Sequence, residues 1–257
     1  MTDPQKVAFI TGGAQGIGKA SAQRLLREGW AVTIADIDEE AGEETVEEFR
    51  DLGPILFMPA DVCEEGHLHR ALTETVSRFG GLNLVMNNAY ASTNWLPIAQ
   101  VTLATWNRVL AGNLTSIMVT AKYGVPHLRE RRGSIINIAS ILAMRTHPNV
   151  IAYGASKGGI IALTHALAIS LAPEIRVNCI SPGTVDTTPW RKSRHRRPSA
   201  YPADRQQAHP VGRVGYPPDI AGMVAYLASA TFITGQNFIV DGGITTKMPD
   251  PEGDSYL

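Results

Sequence analysis

Residues 7–18 read VAFITGGAQGIG, an apolar, partly β-branched run that enters a glycine-rich turn and then a helical pattern. Gly12, Gly16 and Gly18 give the spacing G-x-x-x-G-x-G. Small residues there let the backbone turn tightly and bring helix N–H groups close to an anion. Glycines alone would also suit an ordinary turn. A strand, a glycine turn and a helix in immediate succession are the arrangement in which a pyrophosphate rests on a helix N-terminus.

Working outward, further strand-like runs recur at 31–35, 55–58, 82–87, 134–139, 176–180 and 238–240. Amphipathic helical patterns fill the gaps at 18–28, 39–52, 64–79, 103–129, 152–171 and 218–229. Near-continuous apolar strands alternating with helices predict a parallel sheet covered on both faces. The expectation is an α/β chain: a single-domain doubly wound Rossmann fold over residues 1–257, with a seven-stranded parallel sheet. Residues 189–215, rich in Pro, Arg and Ser, lack periodicity. They follow the sixth strand, where ligands bind in such sheets, and are read as a lid within the domain.

Asp36 ends the second strand, and its carboxylate can accept hydrogen bonds from ribose hydroxyls and repel a 2′-phosphate. Gln15 stands in the glycine loop and Ile37 follows Asp36, so neither position offers a cation to such a phosphate. This favours NAD over NADP. Asp38 fills the helix-capping role that would otherwise explain Asp36.

Tyr153 and Lys157 stand at i and i+4 and share a helix face. In isolation that pair would be an unremarked helix surface. Ser140, however, ends the fifth strand in INIAS, and Asn113 interrupts a long helix where it lowers helix propensity. With TGGAQGIG, Asp61–Val62, NNA at 87–89, PG at 182–183, Thr187 and VDGG at 240–243, the chain resembles a short-chain dehydrogenase/reductase of the Tyr-x-x-x-Lys type.

That resemblance implies an NAD(H)-dependent oxidoreductase interconverting an alcohol and a carbonyl. It implies Tyr153 as general acid/base, Lys157 as ribose ligand lowering the Tyr153 pKa, Ser140 as the group orienting the substrate oxygen, and Asn113 as holder of a water beside Lys157. It implies cofactor contacts at Gly12, Gln15, Gly16, Ile17, Gly18, Asp36, Ile37, Asp61, Val62, Asn88, Ala89, Pro182, Gly183, Val185 and Thr187, with Asn87 close by. Tyr90 departs from the pattern, standing where the family has Gly after NNA, so it either points outward or reshapes the pocket wall.

The basic run at 191–197 is either a solvated face or a contact for an anionic substrate, which would favour a sugar, polyol or hydroxy acid. Trp95 and Trp190 suit a pocket or the scaffold equally, and His147 a substrate loop or plain surface. His165 is read as packed or interfacial. Two rival functions remain: a hydroxysteroid or other lipophilic alcohol, and a non-catalytic NAD-sensing or scaffolding protein on the same fold.

A net charge of −1 gives no general pull toward nucleic acid or anionic membranes. No run reaches the about 18–20 apolar residues of a membrane span, and no signal peptide is read before the first strand. Cys63 and Cys179 are expected to be buried and inert, with no metal cluster. A cytoplasmic homotetramer acting on a small molecule is the expectation.

Overall fold

The computed structural model describes residues 5–91, 94–199 and 201–247. Strands β1 (Val7–Thr11), β2 (Ala31–Asp36), β3 (Ile55–Pro59), β4 (Leu84–Asn87), β5 (Ser134–Ile138), β6 (Arg176–Pro182) and β7 (Asn237–Val240) form one sheet, ordered β3-β2-β1-β4-β5-β6-β7. Every neighbouring pair is parallel. This is the seven-stranded doubly wound sheet expected from the sequence.

Both faces are covered. Helices α1 (Gly16–Arg27), α2 (Glu39–Phe49), α3 (Glu65–Phe79), α4 (Leu103–Leu110), α5 (Ser116–Glu130), α6 (Ile151–Ser170), α7 (Ala203–Gln207) and α8 (Pro217–Ser229) follow in chain order. The period of two in β1 feeds both cores: Ala8 and Ile10 join Leu25, Ile34 and Val224 on one face, while Val7 and Phe9 join Leu72, Leu128 and Val177 on the other. A strand buried on both sides reads as an unbroken apolar run for this reason.

Helix ends follow local chemistry. Asp38 caps α2, its Oδ1 accepting from the Ala41 N–H at 3.2 Å. Gly80 closes α3 in the left-handed region, at φ 77°. Helix α1 has no side-chain cap, so its first N–H groups are left to another acceptor.

The long helix predicted over 103–129 is divided. A π-turn, Ala111–Thr115, separates α4 from α5 and carries Asn113. Asn113 is buried; its Oδ1 accepts from the Ala91 N–H at 2.7 Å and its Nδ2 donates to Ser156 Oγ at 2.9 Å. The residue that weakens the helix is thus tied to two other segments at a π-bulge, a common mark of functional sites. Strand β6 runs past the expected Ile180 because Ser181 and Pro182 pair with Ile239 and Val240.

Strand order reverses between β1 and β4, where the chain leaves β3 and returns to the other side of β1. In open α/β sheets the ligand crevice lies at that point, beyond the carboxyl ends of the strands.

Candidate active site

A cleft of about 550 Å³ opens there, within the range of small-molecule sites. Of the catalytic and cofactor residues expected from the sequence, all but Gly18, Asn113 and the neighbouring Asn87 line it.

The glycine turn forms one wall. Gly12 and Gly16 have φ of 64° and 57°, a region costly for any side chain. Gly18 acts from behind: a Cβ there would collide with the Gly12 carbonyl oxygen, so its absence lets α1 start close under the turn. Asn88 braces the same turn, its Nδ2 donating to the carbonyls of Thr11 (3.1 Å) and Gly12 (2.9 Å). Thr11 Oγ1 in turn accepts from the N–H groups of Asn88 and Ala89 at 3.0 and 3.1 Å.

Asp36 reaches this wall from β2. Its Oδ2 accepts from the Ala14 N–H at 3.0 Å and its Oδ1 from the Asp38 N–H at 3.1 Å. Burial raises its pKa, and those two amides oppose the rise. Asp61 takes the Cys63 N–H at 2.9 Å and faces Arg108 at 3.8 Å. Pro182, Gly183, Val185 and Thr187 descend from the end of β6, and Asp241 packs so tightly on Gly183 that a Cβ would stand 2.7 Å from its own.

At the other end Ser140, Tyr153 and Lys157 converge. Ser140 leaves β5 with its hydroxyl accepting from the Leu142 N–H at 3.1 Å. Lys157 is buried and donates to the Ile138 carbonyl at 2.8 Å, with its Nζ 5.4 Å from the Tyr153 ring centre. Burial pushes the Tyr153 phenol up to about 12, opposed by the Ser140 hydroxyl facing it. Burial likewise pushes the Lys157 ammonium down to about 8. Desolvation is the largest cause at both groups.

Tyr90 resolves the departure noted in the sequence. It is 59% exposed, yet it lines the cleft and stands edge-on to Tyr153, ring centres 6.3 Å apart at 81°. Trp95 stacks on His147 at 6.1 Å and shares a small hollow with Tyr153. Trp190 lies in a 3₁₀ turn and lines neither cavity. His165 is exposed on α6 rather than packed.

Three cations of the basic run find acids rather than the cleft. Lys192, 6% exposed, pairs with Asp38 (2.7 Å) and Glu40 (2.8 Å), and Arg194 also meets Glu40 at 2.9 Å. Ser193 bonds Glu44 through N (2.8 Å) and Oγ (2.7 Å), and Arg196 meets Glu48 at 3.0 Å. Gln15 bridges the contact, accepting from the Lys192 N–H at 3.1 Å and donating to Asp38 at 3.3 Å. Arg191 alone of the run lines the cleft.

Sequence reasoning missed Cys63, Arg108 and Ala91 among the lining residues; Arg191 belongs to the run for which a substrate contact was one of two readings. Cys63 was expected to be buried like Cys179; it is half-buried at the cleft, its thiol raised chiefly by desolvation. A signal existed only for Cys63, which closely follows Asp61. Arg108 belongs to a helix whose rotation the sequence does not fix.

A family model described as enoyl-(acyl carrier protein) reductase matches residues 12–245. The chain belongs to the short-chain dehydrogenase/reductase family. Among relatives of this short-chain dehydrogenase/reductase, an uncharacterized oxidoreductase of Thermotoga maritima is 46% identical, with 95% of this chain and 97% of that protein covered. L-fucose dehydrogenase of Rattus norvegicus is 37% identical (93% and 88% covered), and cyclohexanol dehydrogenase of an Acinetobacter species 35% (94% and 96%). A SCOR enzyme of Clostridium thermocellum, solved in its apo form, superposes with a TM-score of 0.87 at 32% identity, covering 98% and 97%. These kinships make the chain an oxidoreductase acting on alcohol or carbonyl groups.

Proposed function

We propose that this short-chain dehydrogenase/reductase is an NAD(H)-dependent enzyme interconverting a ring-borne hydroxyl and the corresponding carbonyl. The observation that carries the reading is the meeting of Ser140, Tyr153 and Lys157 at one end of a cleft whose other wall holds Asp36.

The residues fit a dinucleotide. The uncapped start of α1 and the left-handed Gly12 and Gly16 suit a pyrophosphate. The part-buried Asp36 carboxylate suits ribose hydroxyls and disfavours a 2′-phosphate. When bound, NAD(H) supplies the hydride acceptor or donor. In the oxidative direction Tyr153 takes the substrate's hydroxyl proton, and in reduction it returns that proton to the carbonyl oxygen. Ser140 orients the same oxygen. Lys157, as the ammonium, stabilises the Tyr153 phenolate and offers its N–H to a ribose. Asn113 fixes the Ala91 loop and the Ser156 turn of α6 around these groups.

The substrates named for two relatives, L-fucose and cyclohexanol, can both present a hydroxyl on a six-membered ring. Tyr90 and Trp95 give the reacting end aromatic walls that suit such a ring. Lys192, Arg194 and Arg196 are engaged by acids of the α2 region, which leaves Arg191 as the cation of the run that a carboxylate on a ring alcohol would meet at the cleft.

Segment 189–215 serves as a strap over the cofactor end. The described helices include none long and apolar enough to cross a membrane. A cytoplasmic homotetramer completes the proposal.

Turnover of L-fucose, cyclohexanol and a linear alcohol with NAD and with NADP tests the reading, beside Tyr153→Phe. We expect a ring alcohol with NAD to be best, and a loss of about 10²–10⁴-fold in kcat with NADH binding kept in the variant. Turnover near the wild-type rate in Tyr153→Phe would remove the mechanism.

A further inference from the structure

We propose that Tyr90 is a positioning residue whose ring, with that of Tyr153, holds Lys157 as a protonated ammonium at the reacting end of the cleft. The inference rests on the roles given above to Tyr153 and Lys157.

A buried ammonium needs compensation, normally from a carboxylate. Lys157 makes no ion pair among the described residues; its one hydrogen bond goes to the Ile138 carbonyl at 2.8 Å. The groups facing it can be taken element by element. From α6 comes Tyr153; from β5, the Ile138 carbonyl; from β6, the Cys179 thiol, pushed up to about 11 by burial and so uncharged at neutral pH. From the loop after β4 comes Tyr90, whose ring centre lies 6.0 Å from Nζ. Two aromatic rings, set at 81° to each other, therefore stand where a counter-ion would be expected. The negative face of an aromatic ring attracts a cation most strongly where water is excluded.

The placement of Tyr90 is imposed by its neighbours. The Ala89 N–H is held by Thr11 Oγ1 at 3.1 Å and the Ala91 N–H by Asn113 Oδ1 at 2.7 Å. With the backbone pinned on both sides, a 59% exposed tyrosine is nevertheless directed across the cleft. A residue serving only as wall would have no need of a π-face toward Lys157. One that holds the ammonium should be replaceable by another aromatic and not by an aliphatic residue.

The test is the Lys157 pKa itself, followed by ¹³Cε NMR on lysine-labelled protein, with Lys157→Met assigning the resonance. Tyr90→Phe should leave that pKa in place. Tyr90→Leu should lower it by about one pH unit, and the alkaline limb of the kcat profile for ring-alcohol oxidation should move down with it. Tyr90→Met serves if the Leu variant is poorly folded. An unmoved Lys157 resonance in the aliphatic variant, with any change confined to KM, would show Tyr90 to be wall alone and overturn the proposal. An active Tyr153→Phe would instead point to failure of the underlying mechanism, whatever the NMR shows.

Discussion

On the proposed mechanism, Lys157 serves chemistry against stability. Its pKa of about 8, against an ordinary 10.5, means the folded protein holds that proton less tightly than the unfolded chain. Between those values the unfolded state binds more protons, so this group's contribution to stability rises with pH. Below pH 8 its penalty is fully present and corresponds to about 3 kcal/mol. Lys157→Met should therefore raise the unfolding midpoint at pH 7 while abolishing turnover, and its advantage should disappear above pH 10.5. Denaturant titrations at pH 7 and pH 10.5 check this; a destabilised Met variant at pH 7 would mean that the ammonium is compensated more fully than its contacts suggest. Asp36 belongs to the same scale. Exchanging Asp36→Ser together with Ile37→Arg should shift the kcat/KM ratio of NAD to NADP by about tenfold or more toward NADP, the worth of one charge-assisted hydrogen bond. Equal ratios in both proteins would show that Asp36 does not read the ribose. Such residues were legible because strand ends and i, i+4 spacing fix their place. The raised Tyr153 pKa was not, since burial is set by the whole cleft.

The strap illustrates what elements add. Its basic residues were visible in the sequence, and so were the acids of α2, but 154 residues separate Lys192 from Asp38. Sequence spacing reports pairs within a helix and carries no information across that distance. Only the topology, which brings the segment after β6 to the α2 end of β2, joins them. The clasp touches the cofactor wall twice, through Gln15 and through Asp38, two positions from Asp36. We expect it to slow cofactor release. Lys192→Met should raise the NADH dissociation constant by about two- to fivefold, in the range of a surface ion pair, and should flatten its dependence on salt, because screening acts on the pairs removed. Fluorescence titration at low and high salt measures both. Unchanged affinity and an unchanged salt slope would leave the clasp as scaffolding. The π-turn was half legible in the same sense: Asn113 marked a weak point in the helix, but its tether to Ala91 and Ser156 is tertiary.

At the scale of the whole molecule the apolar surface falls in two places. Ile169 on α6 is 81% exposed and Met118 on α5 47%. Elsewhere, Phe232 is 101% exposed and Tyr226 on α8 56%, beside the edge strand β7 with Ile239 at 47%. Scattered apolar residues need no explanation, but an edge strand that no other strand pairs among the described residues, with large side chains around it, invites pairing. Helix α6 is apolar over more of its circumference than one sheet face can bury, as its sequence IAYGASKGGIIALTHALAIS already shows. Two patches that each pair with their own copy across a two-fold axis generate a tetramer of dihedral symmetry, which is the assembly we expect. Light scattering should therefore give four chains, and each patch should be separable from the other. Phe232→Glu should leave a dimer held through α5 and α6, and Ile169→Glu a dimer held through β7 and α8, because a charge desolvated at either contact opposes only that contact. Dimers from both single variants and monomers from the double variant would establish two independent interfaces. A wild-type monomer at micromolar concentration would refute the assembly, and a tetramer surviving both changes would place its contacts elsewhere on the surface.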